Sequence, residues 1–234
     1  MHDSRATSVA DPGTRSKSDD VSRSAAARPG RLPVMTAVEW RRRLLHILPG
    51  FLPLLLWYIP HHDPLSWDCR LWLALVIGSI GVGTAMKYQQ IARRGETMNP
   101  ACILGYALPV FLLLMLMPAH AELGLTVLAV LAIGDGSATL GGMILQGPRL
   151  PWNRDKSWSG LLCFLVLGSA WSSLIYWGEI RPVVPFSVAF ACAGTATLVA
   201  GICESLDSRI NDNVRVGVAA SVAVVAMHWL MVGL

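Results

Sequence analysis

The chain has 234 residues, 53% of them hydrophobic and only 15% charged, with a formal net charge of +4 at pH 7. A mean hydropathy of +0.50 excludes an ordinary soluble domain and points to an all-α, polytopic integral membrane helical bundle. Five cysteines without a CxxC pair support neither a disulfide framework nor a zinc site.

In chain order, residues 1–33 are rich in Ser, Ala, Arg, Asp and Pro and lack apolar periodicity, which predicts a disordered cytosolic tail. More than forty polar residues precede the first apolar run, and Asp3, Asp11, Asp19 and Asp20 are acidic. Neither a cleaved signal peptide nor an organellar transit peptide is therefore expected. Residues 34–234 read as one membrane domain. Apolar runs long enough to cross a bilayer fall at roughly 44–60, 68–86, 101–119, 122–145, 159–177, 183–203 and 214–233. With the N-terminus inside, 17 of the 19 basic residues lie in inner segments, and only Arg70 and Arg181 lie outside. Short cytoplasmic loops carry such an excess, so about seven transmembrane helices with a cytoplasmic N-terminus are expected. The positive net charge is then mostly topology and not a nucleic-acid footprint.

The strong polar clusters fall on the predicted inner side. They are Arg42-Arg43-Leu44-Leu45-His46, Arg93 to Pro100, Asp135, the loop from Asn153 to Gly160, and Glu204-Ser205 with Asn211-Asp212-Asn213. One-sided clustering suits a membrane enzyme with a soluble co-substrate, whereas transporters place polar groups at the midplane between broken helices. Asp135 stands in a stretch otherwise apolar from Leu123 to Leu145. An ionisable group at membrane depth is costly unless it faces a polar cavity, so it marks a candidate site. A continuous helix to Gln146 would set it about 16 Å below the inner end; a helix ended early by Gly141-Gly142 would leave it nearer the interface.

Magnesium takes one or two carboxylates plus phosphate oxygens, which Asp135 with Glu204 or Asp212 can supply, while Lys156 and Arg154 offset phosphate charge. Positioning and electrostatics suffice for phosphoryl transfer. Blander roles stand beside these. Arg154 and Lys156 also serve as positive-inside charges, Glu204, Asp207 and Asp212 as a solvated turn, and His61 and His62 as outer-loop surface. The chain carries no P-loop, protein-kinase signature set or GxSxG elbow.

Taken in order, Arg42-Arg43-Leu44-Leu45-His46, Gly134-Asp135-Gly136, Leu150-Pro151-Trp152-Asn153 leading into Lys156-Ser157-Trp158-Ser159-Gly160, and Glu204-Ser205 followed by Asp212-Asn213-Val214 resemble the CTP-dependent polyprenol kinases, the dolichol kinase and phytol kinase group. The resemblance runs from about residue 41 to 217. It implies transfer of the CTP γ-phosphoryl group to the hydroxyl of an isoprenoid alcohol at the cytoplasmic face, with Mg2+ as cofactor. By the same resemblance Asp135, Lys156 and Asp212 are catalytic, and Asp135, Glu204 and Asp212 hold the metal. Arg42, Arg43, His46, Asn153, Arg154, Ser157, Glu204 and Asn213 bind the nucleotide. The chain departs from the family at Ser159, where an acid is often found. Phosphatidate cytidylyltransferases share the Lys-Ser/Thr loop but attack the α-phosphorus. A kinase with diacylglycerol as its acceptor, and a non-catalytic seven-span transporter, are also compatible with these residues.

Overall fold

Prolines decide where the first apolar run breaks. In the computed structural model, which describes residues 37–59, 61–87 and 100–233, helix α1 (Ala37–Ile47) passes into a 3-10 turn (Leu48–Phe51) and then a short helix α2 (Leu52–Leu56). Pro49 and Pro53 stand at the first turns of these last two pieces, where a missing backbone N–H costs least. The expectations for residues 1–33 and for the cluster from Arg93 to Asn99 lie outside the described residues.

Helix α3 (Trp67–Met86) is capped by Ser66, whose hydroxyl accepts the Cys69 amide at 3.3 Å. Helix α4 (Pro100–Leu116) follows, and then a continuous segment of α5 (Ala121–Ala129), a π-helical turn (Val130–Asp135) and α6 (Gly136–Leu145). That segment ends at Gln146, which adopts the left-handed conformation with φ 46°. The chain closes with α7 (Trp158–Glu179), α8 (Phe186–Ser205) and α9 (Asp212–Met231). The described residues contain no β-strand, only an isolated bridge between Arg149 and Ser157. The protein is thus a polytopic helical bundle. Among the described residues, five helical segments are long and apolar enough to cross a membrane, and α4, with 17 residues, is a shorter apolar helix.

The 121–145 segment is the axis of the bundle. Every residue of α5 is buried, and 78% of this segment's most apolar stretch is buried against 6% for α3. Helices α7, α8 and α9 pack on one another and on this axis, with α4 against α9. On α8 the buried positions Ala189, Ala193, Ala196 and Ala200 recur at helical spacing. Small residues there let backbones approach, which replaces the hydrophobic driving force that lipid does not supply. Large apolar side chains such as Leu71, Leu75, Val166, Phe190 and Val222 remain exposed, as expected of surface that faces acyl chains.

Candidate functional site

Asp135 ends the π-helical turn of the central segment, the kind of helix irregularity that recurs at functional sites. The segment is continuous to Leu145, so of the two depths open from sequence the structure takes the deeper. Gly136 lies directly under α1. A Cβ there would come within 2.5 Å of the Ile47 side chain, so only glycine lets α1 lie this close. The close approach carries His46 to Asp135, with Nε2 3.0 Å from Oδ2 and 3.1 Å from the Leu131 carbonyl oxygen. Both partners are acceptors, so Nε2 carries a proton, and in the neutral imidazole Nδ1 is then the nitrogen with the lone pair. The Tyr106 hydroxyl donates to the His46 carbonyl at 2.8 Å, and its ring meets the imidazole edge-on at 5.2 Å.

The second part of the site is the loop between α6 and α7. Its fold is set by backbone pairing, with the Leu150 amide donating to the Lys156 carbonyl at 3.0 Å and the Trp158 amide to the Pro148 carbonyl at 2.9 Å. Buried Asn153 accepts the Asp155 amide at 3.1 Å. Ser157 caps α7 by accepting the Gly160 amide at 3.2 Å, and Ser159 accepts the Gly147 amide at 3.1 Å. So held, Lys156 donates to Glu204 at the end of α8 and to Asp212 at 3.0 Å at the start of α9. Burial works against the ammonium, but Glu204 and then Asp212 outweigh it and hold the Lys156 pKa well above the usual lysine range. Arg215 completes the group by donating to Asp212 at 2.7 Å and to the Glu204 carbonyl at 3.3 Å. The two cations and two carboxylates balance, and buried Glu204 has the paired cation that a buried charge needs.

Placement of Asp212 and Asn213 depends on Gly105. A Cβ on Gly105 would stand 2.6 Å from the Val214 backbone nitrogen, so α9 begins in direct contact with the α4 backbone. Asn211 caps α9 by accepting the Asn213 amide at 3.0 Å, and the Asn213 side chain donates to the Cys102 carbonyl at 2.7 Å.

These pieces enclose a cavity of about 400 Å³. Its lining combines the polar and charged side chains of Arg42, Arg43, His46, Asp135, Lys156, Asp212 and Asn213 with apolar ones, including Pro49, Leu52, Ile77, Ile80, Ile103 and Val110. Of the remaining expected residues, Glu204 stands behind Lys156, only 4% exposed. Asn153 and Ser157 are spent on the loop's own turn and cap, and Arg154 is exposed, none of the three lining the cavity. Sequence reasoning passed over Tyr106, Cys102 and Arg215 as site residues. The only available signals were a lone tyrosine in an apolar run and an Asp-to-Arg spacing of i,i+3.

No protein-family model matches the chain, and no solved structure matches it. The chain is similar to phytol kinase 1, chloroplastic, of Arabidopsis thaliana, with 25% identity over 202 residues, 78% of this chain and 64% of that protein. The chain therefore spans slightly less than two thirds of that relative's length. Together with a cavity walled by Asp135 and Lys156, this similarity supports a polyprenol/phytol kinase-like family for the chain.

Proposed function

We propose that the protein is a membrane-embedded lipid kinase that transfers the γ-phosphoryl group of CTP to the hydroxyl of an isoprenoid alcohol at the cytoplasmic face. The observation that carries this is one cavity whose lining joins cations and carboxylates to apolar side chains. A lipid with one hydroxyl needs both kinds of lining, and a triphosphate needs the cations. The relative's name gives phytol as one such alcohol.

The residues assign themselves roles by chemistry. Arg42, Arg43 and Lys156 line the cavity and would hold the phosphates, with Glu204 and Asp212 fixing the Lys156 ammonium. Asn213, on the same wall and tied to Cys102, would meet the nucleotide. His46, through Nδ1, would take the proton of the acceptor hydroxyl as its oxygen bonds to the γ-phosphorus and the bond to the bridging β-oxygen breaks. CDP leaves with that oxygen. Asp135 would orient the ring and stabilise the imidazolium. Hard oxygen donors fit magnesium: Asp135 has one oxygen on His46, and Asp212 is 44% exposed on the same cavity. Asp135 and Asp212 would therefore hold Mg2+, with Glu204 kept for Lys156. When bound, the ion neutralises charge on the transferring phosphoryl group.

The test is purified protein in detergent with magnesium and CTP labelled at the γ or, separately, the α position, offered prenols, diacylglycerol and phosphatidate. Label passing from the γ position to a prenol is the expected result. Transfer from the α position to phosphatidate would make the protein a cytidylyltransferase. Absence of transfer to every acceptor would leave the transporter reading in its place.

A further inference from the structure

A second cluster of ligand-type side chains sits at the other end of the central segment. Glu122 lies in the first turn of α5, thirteen residues before Asp135, which puts it about 20 Å along the helix from the phosphate end. His120 occupies the cap position of α5 without capping it, and His228 comes in from the last turn of α9. The Nδ1 atoms of both imidazoles face one carboxylate oxygen, Glu122 Oε1, at 3.1 Å from His120 and 3.6 Å from His228. All three ligand atoms lie within 4.8 Å of one another, and the two rings meet edge-on at 4.6 Å.

Hydrogen bonding alone uses this group poorly. At 3.6 Å His228 is too far from Glu122 for a hydrogen bond, and its Nδ1 pairs instead with the Tyr176 hydroxyl at 2.7 Å. His228 is 0% and Glu122 2% exposed. A tetrahedral zinc ion with bonds of about 2.1 Å to imidazole nitrogen and carboxylate oxygen has ligand-to-ligand edges of about 3.4 Å. The two measured edges bracket that value. Imidazole nitrogen selects zinc over magnesium, and two His with one Glu leave the fourth position to water.

From this geometry we infer that His120, Glu122 and His228 form a zinc-binding site at the end of the bundle remote from Asp135. The cysteines play no part in it. The site ties the α4–α5 turn to the C-terminal turn of α9. Tyr176 competes with the metal, because its hydroxyl engages the His228 nitrogen that must turn to zinc.

The test uses untagged, chelator-treated protein, titrated with Zn2+ alone and followed by calorimetry and by thermal unfolding. One equivalent of Zn2+ should bind and raise the unfolding temperature. In His120→Ala, whose side chain is partly exposed, and in the isosteric Glu122→Gln, affinity should fall at least tenfold and the thermal shift should vanish. Tyr176→Phe should bind Zn2+ at least as tightly as the parent. Absence of a stoichiometric Zn2+ event in the parent, or equal affinity in His120→Ala and Glu122→Gln, would overturn the site. Neither readout involves lipid phosphorylation, so the result is independent of the proposed kinase activity.

Discussion

Asp135 and His46 meet because two features coincide, a π-helical turn and a glycine under α1, and the pair carries the sharpest residue-scale prediction. Asp135→Asn keeps the side chain's shape and its ability to bond the ring, but removes the charge proposed to stabilise an imidazolium and to hold magnesium. Lipid phosphorylation should fall by at least about 100-fold, and His46→Gln should fall within the 100- to 10,000-fold range typical of a lost general base. Single-turnover phosphoryl transfer, with melting temperature as a control for folding, measures both. Full activity in Asp135→Asn would remove Asp135 from the site. Lys156 is a poorer probe. Its removal leaves Glu204 buried without its cation, a change that costs about 3–5 kcal/mol and mixes folding with catalysis. Asp135, Lys156 and Asp212 were legible in the sequence because a charge inside or beside an apolar run stands out. The partners were not. His46 and Asp135 are 89 positions apart, and in a membrane helix apolar on every face no periodicity tells which face meets which neighbour.

At the scale of elements, glycine contacts set the site's dimensions. Gly105 is the clearest case, since the atom its Cβ would strike is backbone, the Val214 nitrogen, and backbone cannot rotate away. Gly105→Ala should push the start of α9 off α4 and carry Asp212 and Asn213 with it. The expected cost is about 1–3 kcal/mol, as for other overpacked interiors, with a several-fold rise in KM for CTP and a smaller change in KM for the alcohol. Steady-state kinetics with each substrate varied in turn separates this from uniform loss. Sequence located the helices well where apolar runs had polar ends: the run at 68–86 is α3, Trp67–Met86. It did less well where proline intervened. The run beginning at 183 becomes helical only at Phe186, with Pro185 as its cap, because the apolar pair Val183-Val184 lies between prolines that deny a helix its donors. The first run broke into three pieces for the same reason.

On the scale of the whole molecule, the two ends of the bundle are chemically different, and the difference constrains orientation. One end carries Arg42, Arg43, Lys156 and Arg215 around the cavity; the other carries His61, paired with Glu179 at 2.7 Å, together with the His120, Glu122 and His228 group. A nucleoside triphosphate does not cross a bilayer, so the proposed kinase needs its cationic end to face the compartment that holds the nucleotide, and the positive-inside bias predicts that this is the cytoplasm. Two exposed positions report on this, Asp155 in the cationic loop and His62 at the other end. In a variant whose five native cysteines are replaced and which still phosphorylates lipid, His62→Cys should react with a membrane-impermeant maleimide added to intact cells. Asp155→Cys should react only after the membrane is opened. The opposite pattern would place the cavity on the outer face, where the nucleotide is absent, and would be incompatible with a CTP-dependent kinase. Protection of Asp155→Cys by CTP in opened membranes would further tie the loop's accessibility to occupancy of the cavity that Lys156 helps to line.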